Sequence, residues 1–458
     1  MKKYILLLSI MALILSGCGA ADNKESTPST IPDSMEDSAP ESIEGSASDP
    51  SESSEPETPV GSVSPTTDEE LYRFVIDSWK SGEYARLYPY ADNTLKALLS
   101  ESDFTYMISS VSEIGGALLS DQTSATTGKN GTVFSSTLDF ENITVDLVLS
   151  IRDVKISGFN RNVHFKHTFE FPRDGYNERY FVFESNGFRL NAVYTYVSDG
   201  QTHPSVLLIS GSGPSDYNET VGLLTPFADI SEALANQGIN SLRIDKRTLN
   251  YAGSFEKDHT IDEEYLQDCS AAIDYLKNQP ETASVSLLGH SLGGQIAAML
   301  AADRDDIESI ILFNSTPRPL IDVLFDQLAA ADPANKELYQ TMVDTVKALN
   351  EDTATGRNYL GAGDYYWISV NQINVVNQMK HAGIPALIIN SKNDNQIFDE
   401  DISLWQSAFA KSDLVTIYID DGMSHFGYEI DTADQASLYR RTALPERLTE
   451  LFTEFLLK

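Results

Sequence analysis

In the second half of the chain, short apolar runs alternate with longer stretches in which apolar positions recur every three or four residues. The runs are "PSVLLIS" (204–210), "INSLRID" (239–245), "SVSLL" (284–288), "SIILFN" (309–314), "PALIIN" (385–390) and "LVTIYID" (414–420). Apolar runs of this length predict strands buried on both faces. Helical patterns fall between them near 230–237, near 262–277 and at "GGQIAAML", and one closes the chain at "PERLTELFTEFLLK". This alternation predicts an α/β unit over residues 163–458, a mostly parallel sheet with helices on both faces. Residues 316–384 intervene between two of the strands, with apolar helical positions Leu320, Val323, Leu324 and Leu328 and the aromatic cluster Tyr365, Tyr366 and Trp367. Such an insertion would lie over the carboxyl ends of the strands, where sites in open sheets sit. It is expected as a helical lid, with packed helices without a catalytic part as the alternative, and the aromatic cluster as core or lid packing rather than as an acyl pocket.

The texture before residue 163 is different. "DEELYRFVIDSWKSGEYARLYPYADNTLKALLS" places Leu71, Phe74, Val75 and Trp79 on one helical face, and "GTVFSSTLDFENITVDLVLSIRDVKISGFN" alternates as strands do. Residues 68–158 therefore read as a small α+β domain. It resembles the small domain found ahead of hydrolase domains in bacterial envelope proteins. It holds no clustered nucleophile, base or metal-ligand set, so spacer, substrate-guiding and dimerising roles stay open. Residues 19–67 are rich in Ser, Glu, Pro, Asp and Thr with few large apolar side chains. Such a segment buries too little surface to offset its chain entropy and is expected to be a disordered, self-repelling tether.

The first residues, "MKKYILLLSIMALILSGCGA", carry two lysines, an apolar run and then small residues around Cys18. The run is too short for a comfortable membrane span and suits a signal peptide over residues 1–18. Leu15-Ser16-Gly17-Cys18 resembles the lipobox of bacterial lipoproteins, and that resemblance implies diacylglycerol on the Cys18 sulfur and an extracytoplasmic, membrane-anchored protein. An ordinary secretory signal with an incidental cysteine is the alternative. The second of the two cysteines, Cys269, falls among Leu266, Ile273 and Leu276 and is expected as a small core residue. With only these two, no disulfide framework is expected. The net charge of -36 argues against nucleic acid as a partner and offers no basic patch for an anionic membrane surface.

The chemistry centres on Gly289-His290-Ser291-Leu292-Gly293, a G-x-S-x-G pattern with a predicted strand before it and a predicted helix after it. That is the setting of a nucleophile elbow, in which side chains at Gly289 and Gly293 would collide with neighbouring backbone and Ser291 is thrust out at a helix N-terminus. A serine hydroxyl needs a base, and the base an orienting acid, following in the order Ser, acid, His. Only His381 and His425 follow Ser291. His381 precedes the strand "PALIIN", so the order leaves His425. The acid belongs on the loop after that strand, where "NSKNDNQIFDED" offers Asp394, Asp399 and Asp401. Asp394 comes first, between two turn-forming asparagines, and is favoured. The glycine-rich "SGSGPSDYNET" after the first parallel strand would bring the amide of Ser212, with that of Leu292, to a tetrahedral oxyanion, although an ordinary strand-end turn would look the same. Arg243, Asp245, Lys246 and Arg247 could touch substrate, but a strand-end ion-pair network is the expected use.

From about residue 180 to the end, the chain resembles a bacterial α/β-hydrolase of the serine esterase type. "LLISGSGPSDYNET" resembles the family's Gly-Ser-Gly-Pro loop, "LRIDKR" its Arg-x-Asp-x-Arg strand end and "LLGHSLGG" its elbow, while "PALIINSKNDNQI" and "GMSHF" resemble its acid and histidine loops. The resemblance implies hydrolysis of small-molecule carboxylic esters through an acyl-enzyme, with no metal or cofactor. Two departures stand out. Leu292 occupies a position where close relatives often carry Glu, which bears on substrate preference, and "RTLNYAGS" replaces a glycine-bearing segment, which bears on loop shape. The same triad can cleave amides or thioesters, so a peptidase or acyl hydrolase is the second enzymatic expectation. A binding lipoprotein with a relic hydrolase domain is the third reading, and the intact Ser, Asp and His in order argue against it.

Overall fold

A computed structural model describes residues 64–254, 259–430 and 442–458. The expected signal peptide, the lipobox with Cys18 and nearly all of the 19–67 tether lie outside the described residues. The first helix, α1 (Asp68–Ser81), starts where the acidic low-complexity stretch ends. Thr67 caps it by accepting the Glu70 amide, and the Glu70 carboxylate accepts the Thr67 amide in return, which satisfies two orphan donors of the first turn. Leu71, Val75 and Trp79 are buried as their spacing requires, and the Trp79 indole donates to the Ile108 carbonyl at 3.0 Å in α3 (Glu101–Gly115), which follows a short α2 (Asn93–Leu98).

These helices cover one face of a four-stranded antiparallel meander, β1 (Leu118–Gly128), β2 (Gly131–Phe140), β3 (Ile143–Arg152) and β4 (Lys155–Phe165). On β2 and β3 burial alternates residue by residue, with Phe134, Leu138, Val145, Leu147 and Leu149 inward. Strand β4 runs to Phe165, past the expected domain edge at 158, because it stays paired with β3 as far as Ile143 opposite Phe165.

A nine-stranded mixed sheet follows. Three strands absent from the sequence reading open it: β5 (Phe169–Pro172), β6 (Tyr176–Ser185) and β7 (Phe188–Val197), all antiparallel neighbours. The β6–β7 hairpin turns on Asn186 and Gly187, both at positive φ (49° and 83°), the geometry of a tight Asn-Gly turn. Six parallel strands complete the sheet: β8 (His203–Ile209), β9 (Asn240–Ile244), β10 (Thr282–His290), β11 (Ile310–Phe313), β12 (Ala386–Ser391) and β13 (Val415–Asp420). Their order, β13-β12-β11-β10-β8-β9-β7-β6-β5, places β8 and β10 side by side. The chain leaves β8 towards one edge and returns beyond β10 towards the other, so the strand order reverses between them, which is where open sheets carry their sites.

Helices α4 (Pro226–Ala235), α5 (Gln267–Lys277), α6 (Leu292–Asp303) and α12 (Glu446–Leu456) flank this sheet. The 316–384 insertion forms α7 (Leu320–Ala331), α8 (Lys336–Lys347), α9 (Asp364–Asn371) and α10 (Val375–Ala382). Tyr366, Trp367, Val375 and Met379 share the main hydrophobic core with Ile296 and Leu300 of α6, so this segment is packed into the domain. Cys269 is buried in the same core, where burial pushes its thiol pKa well up. Among the described residues no helix is long and apolar enough to cross a membrane.

The two domains meet at the loop that follows β8. Phe165 of β4 and Tyr217 of that loop lie 5.2 Å apart by ring centroids, and both belong to the small domain's core. Asn191 on β7 accepts the Phe165 amide at 2.8 Å and donates to the Val163 carbonyl at 2.6 Å.

Candidate active site

Strand β10 ends at His290, and Ser291 takes φ 54° and ψ -121°, a conformation that side-chain-bearing residues rarely adopt. The turn closes only because its flanks are glycine. A Cβ on Gly289 would stand 2.0 Å from the Gly293 carbonyl oxygen, and one on Gly293 would stand 2.1 Å from that of Ile209. Leu292 then opens α6, so its amide has no carbonyl one turn back to bond and faces the positive end of the helix dipole.

Two further side chains arrive from the ends of β12 and β13. Asp394 sits on the loop after β12, where its Oδ1 accepts the Gln396 amide at 2.6 Å and the Ile397 amide at 3.1 Å. Its Oδ2 lies 2.6 Å from His425 Nδ1, and both residues are buried. A carboxylate only accepts, so Nδ1 carries a proton, and in the neutral ring Nε2 presents the lone pair. The His425 ring lies tilted against that of His290, the residue preceding Ser291, with 4.6 Å between ring centroids. No hydrogen bond joins the Ser291 hydroxyl to His425 among the described residues. Links of this kind are commonly long without substrate and tighten when it binds.

The competing candidates are committed elsewhere. Asp401 accepts the Phe398 amide at 2.9 Å and pairs with Arg318 at 2.8 Å, and Asp399 begins α11 (Asp399–Ala408). His381 is exposed near the end of α10. Arg243, Lys246 and Arg247 form the expected strand-end network, paired with Glu178, Glu264 and Asp268 respectively. Asp245 accepts the Tyr217 amide at 2.9 Å and the Asn191 amide at 3.2 Å, and burial raises its pKa well above the usual carboxylate range.

The loop after β8 passes directly over the elbow: a Cβ on Gly211 would lie 3.1 Å from Ser291 Cβ. Its peptide polarity is held from beneath. Buried Lys246 donates to the carbonyls of Gly211 at 3.2 Å and Gly213 at 2.6 Å, and Tyr265 also donates to the Gly211 carbonyl. Burial lowers the Lys246 pKa, against the opposing pull of Glu264 at 2.9 Å. The Ser212 amide has no backbone acceptor among the described residues.

Sequence reasoning missed two members of this neighbourhood, Glu219 and His290. Glu219 Oε1 accepts the Gly211 amide at 2.7 Å and lies 2.8 Å from His290 Nδ1. Glu219 has φ 53°, and no residue pattern announces that a glutamate eight positions after Gly211 will fold back beneath it.

Residues 217–426 match the Hydrolase_4 family model, described as serine aminopeptidase, S33, and the match spans Ser291, Asp394 and His425. With six parallel strands, an elbow after β10 and that match, the architecture is settled. The chain has an α/β-hydrolase fold. Among curated proteins, this chain is 26% identical over 303 residues to Esterase EstD of Thermotoga maritima, covering 64% of this chain and 71% of that one. Solved structures similar to it include Est1E from Butyrivibrio proteoclasticus (18% identity, 61% of this chain and 97% of that chain, TM-score 0.42). The Pyrococcus furiosus esterase Pf2001 is another (16% identity, 64% and 97%, TM-score 0.42). The family match begins at Tyr217 and leaves the small domain outside it.

Proposed function

We propose that this protein is a serine hydrolase that cleaves small-molecule carboxylic esters through an acyl-enzyme, anchored by lipid at Cys18 on the extracytoplasmic face of a bacterial membrane. The observation that carries the hydrolase reading is the 2.6 Å contact between Asp394 and His425 Nδ1, which fixes the imidazole tautomer with its basic nitrogen free. The curated relative's name, Esterase EstD, favours esters.

In this reading the Ser291 Oγ attacks the ester carbonyl carbon while His425 Nε2 takes the hydroxyl proton. Asp394 steadies the resulting imidazolium. The oxygen of the tetrahedral adduct sits between the amides of Ser212 and Leu292, whose donation stabilises the negative charge that develops there. Collapse expels the alcohol, which receives the proton from His425, and leaves Ser291 acylated. Water then repeats the sequence, with His425 again as base, and frees the acid. All the charge made and unmade is handled by side chains and backbone amides of this chain.

A fluorophosphonate ester of an aryl alcohol tests the reading, because its phosphorus is trapped by an activated serine. The expected result is one adduct on the peptide containing Ser291 and loss of aryl-ester hydrolysis in parallel. Hydrolysis that persists with Ser291 unlabelled, or labelled without loss, overturns the assignment. Peptide arylamides assayed beside the esters decide whether amides are also cleaved.

The anchor rests on Leu15-Ser16-Gly17-Cys18 and on the acidic stretch behind it. Palmitate fed to expressing bacteria should label the chain, and Cys18→Ser should remove both the label and the membrane association. A Cys18→Ser protein that still labels and sediments with membranes would refute the lipid site.

A further inference from the structure

His290 is buried, and each of its ring nitrogens meets an oxygen. Nδ1 lies 2.8 Å from Glu219 Oε1, and Nε2 lies 2.9 Å from the His425 carbonyl. A carbonyl oxygen never donates, and this one already accepts from Asn314 Nδ2 at 2.7 Å. A neutral imidazole has one N–H and one lone pair, so it would set a lone pair against one of those two oxygens. Only the doubly protonated ring satisfies both contacts while Glu219 remains a carboxylate. The same carboxylate oxygen accepts the Gly211 amide at 2.7 Å, and its partner oxygen is buried without a hydrogen bond. That leaves an under-satisfied carboxylate in the interior, a costly arrangement that an apolar pair of similar volume would avoid.

We propose that His290 and Glu219 form a buried charged pair that positions the oxyanion loop and the His425 loop on either side of Ser291. The proposal rests on the ester-hydrolase reading for its consequence and on the two ring contacts for its existence. Three segments converge on the imidazole. Glu219 ties it to the Gly211 amide beside Ser212, the backbone ties it to Ser291, and its Nε2 proton holds the carbonyl of His425. The other groups facing the ring are the His425 imidazole, the more distant Asp394 carboxylate and the rings of Phe313 and Phe426. Burial alone would drive the His290 pKa down, but the Glu219 charge and hydrogen bond, with the His425 carbonyl, outweigh it and the pKa is raised. His290 and Glu219 touch no reacting atom in the proposed mechanism and are positioning residues. If either loses its charge, the imidazole keeps one N–H, and one of the two loops is released.

The test uses the full-length protein labelled with ring-15N histidine, both as wild type and as Ser291→Ala. One histidine should keep both ring nitrogens protonated across the neutral range, and its signal should vanish in His290→Gln. A His290 signal with one protonated and one bare nitrogen overturns the charged pair. This arm reads the same in Ser291→Ala and so does not depend on hydrolysis. In the kinetic arm, Glu219→Gln should lower kcat for a short-chain aryl ester about 10- to 100-fold and change KM by less than about threefold, as expected when groups that act in the transition state are displaced. Unchanged kcat in a folded Glu219→Gln protein refutes the positioning role. If the wild type does not turn over esters, the ester-hydrolase reading fails, and the spectra alone decide the pair.

Discussion

Ser291→Ala should lower kcat for a short-chain aryl ester by about 10⁴- to 10⁶-fold, the range seen when a triad nucleophile is removed. The size follows from covalent catalysis. In the proposed mechanism, loss of Oγ removes the acyl-enzyme and leaves only the weaker help of the proposed oxyanion donors to direct attack by water. The substitution isolates chemistry from folding because alanine meets the same backbone demand as serine at φ 54°. It removes one oxygen from a half-buried position whose hydroxyl has no hydrogen bond among the described residues. The melting temperature should therefore stay close to that of the wild type, and initial rates of aryl alcohol release should collapse. Equal turnover by the two proteins would end the assignment of Ser291.

Asp394→Asn should cost about 10⁴-fold in kcat, the scale on which a misoriented catalytic histidine is penalised. The direction is dictated by the two backbone donors. Gln396 and Ile397 both donate to Oδ1, so in the variant the amide oxygen must stay there. That turns the amide NH₂ towards His425 Nδ1, which can then remain close only by presenting its own lone pair. The proton moves to Nε2, and the nitrogen meant to accept the serine proton becomes a donor. An unperturbed kcat in Asp394→Asn, with the fold intact by circular dichroism, would show that another carboxylate orients the histidine. Asp401 is the nearest in sequence with a buried side chain, but it is already engaged by Arg318 and the Phe398 amide.

Much of the architecture was legible along the chain because the parallel strands are buried on both faces. A strand of that kind must be apolar throughout, so "PSVLLIS", "SIILFN" and "PALIIN" announce themselves without any partner in view. The antiparallel strands β6 and β7 escaped because "NERYFVFESNGFRLNAVYTYV" mixes charged and aromatic residues. The Asn186-Gly187 pair was the one short-range signal of its hairpin. The elbow was readable for a steric reason: its two glycines are the residues that tolerate contacts as close as those measured at Gly289 and Gly293.

Taken by itself, the sequence determined the α/β alternation, the strained serine between glycines, and the order in which an acid and a histidine follow it. These are local or one-dimensional properties, set by side-chain volume, periodicity and position along the chain. The tertiary structure alone decided which loop carboxylate meets His425, that the 316–384 segment packs into the core, and that Glu219 and His290 close a buried circuit beneath the loop after β8. The Asp394–His425 and Glu219–His290 contacts depend on a few tenths of an ångström between groups 31 and 71 residues apart, and at that range hydrogen-bond geometry leaves no trace in the order of residues.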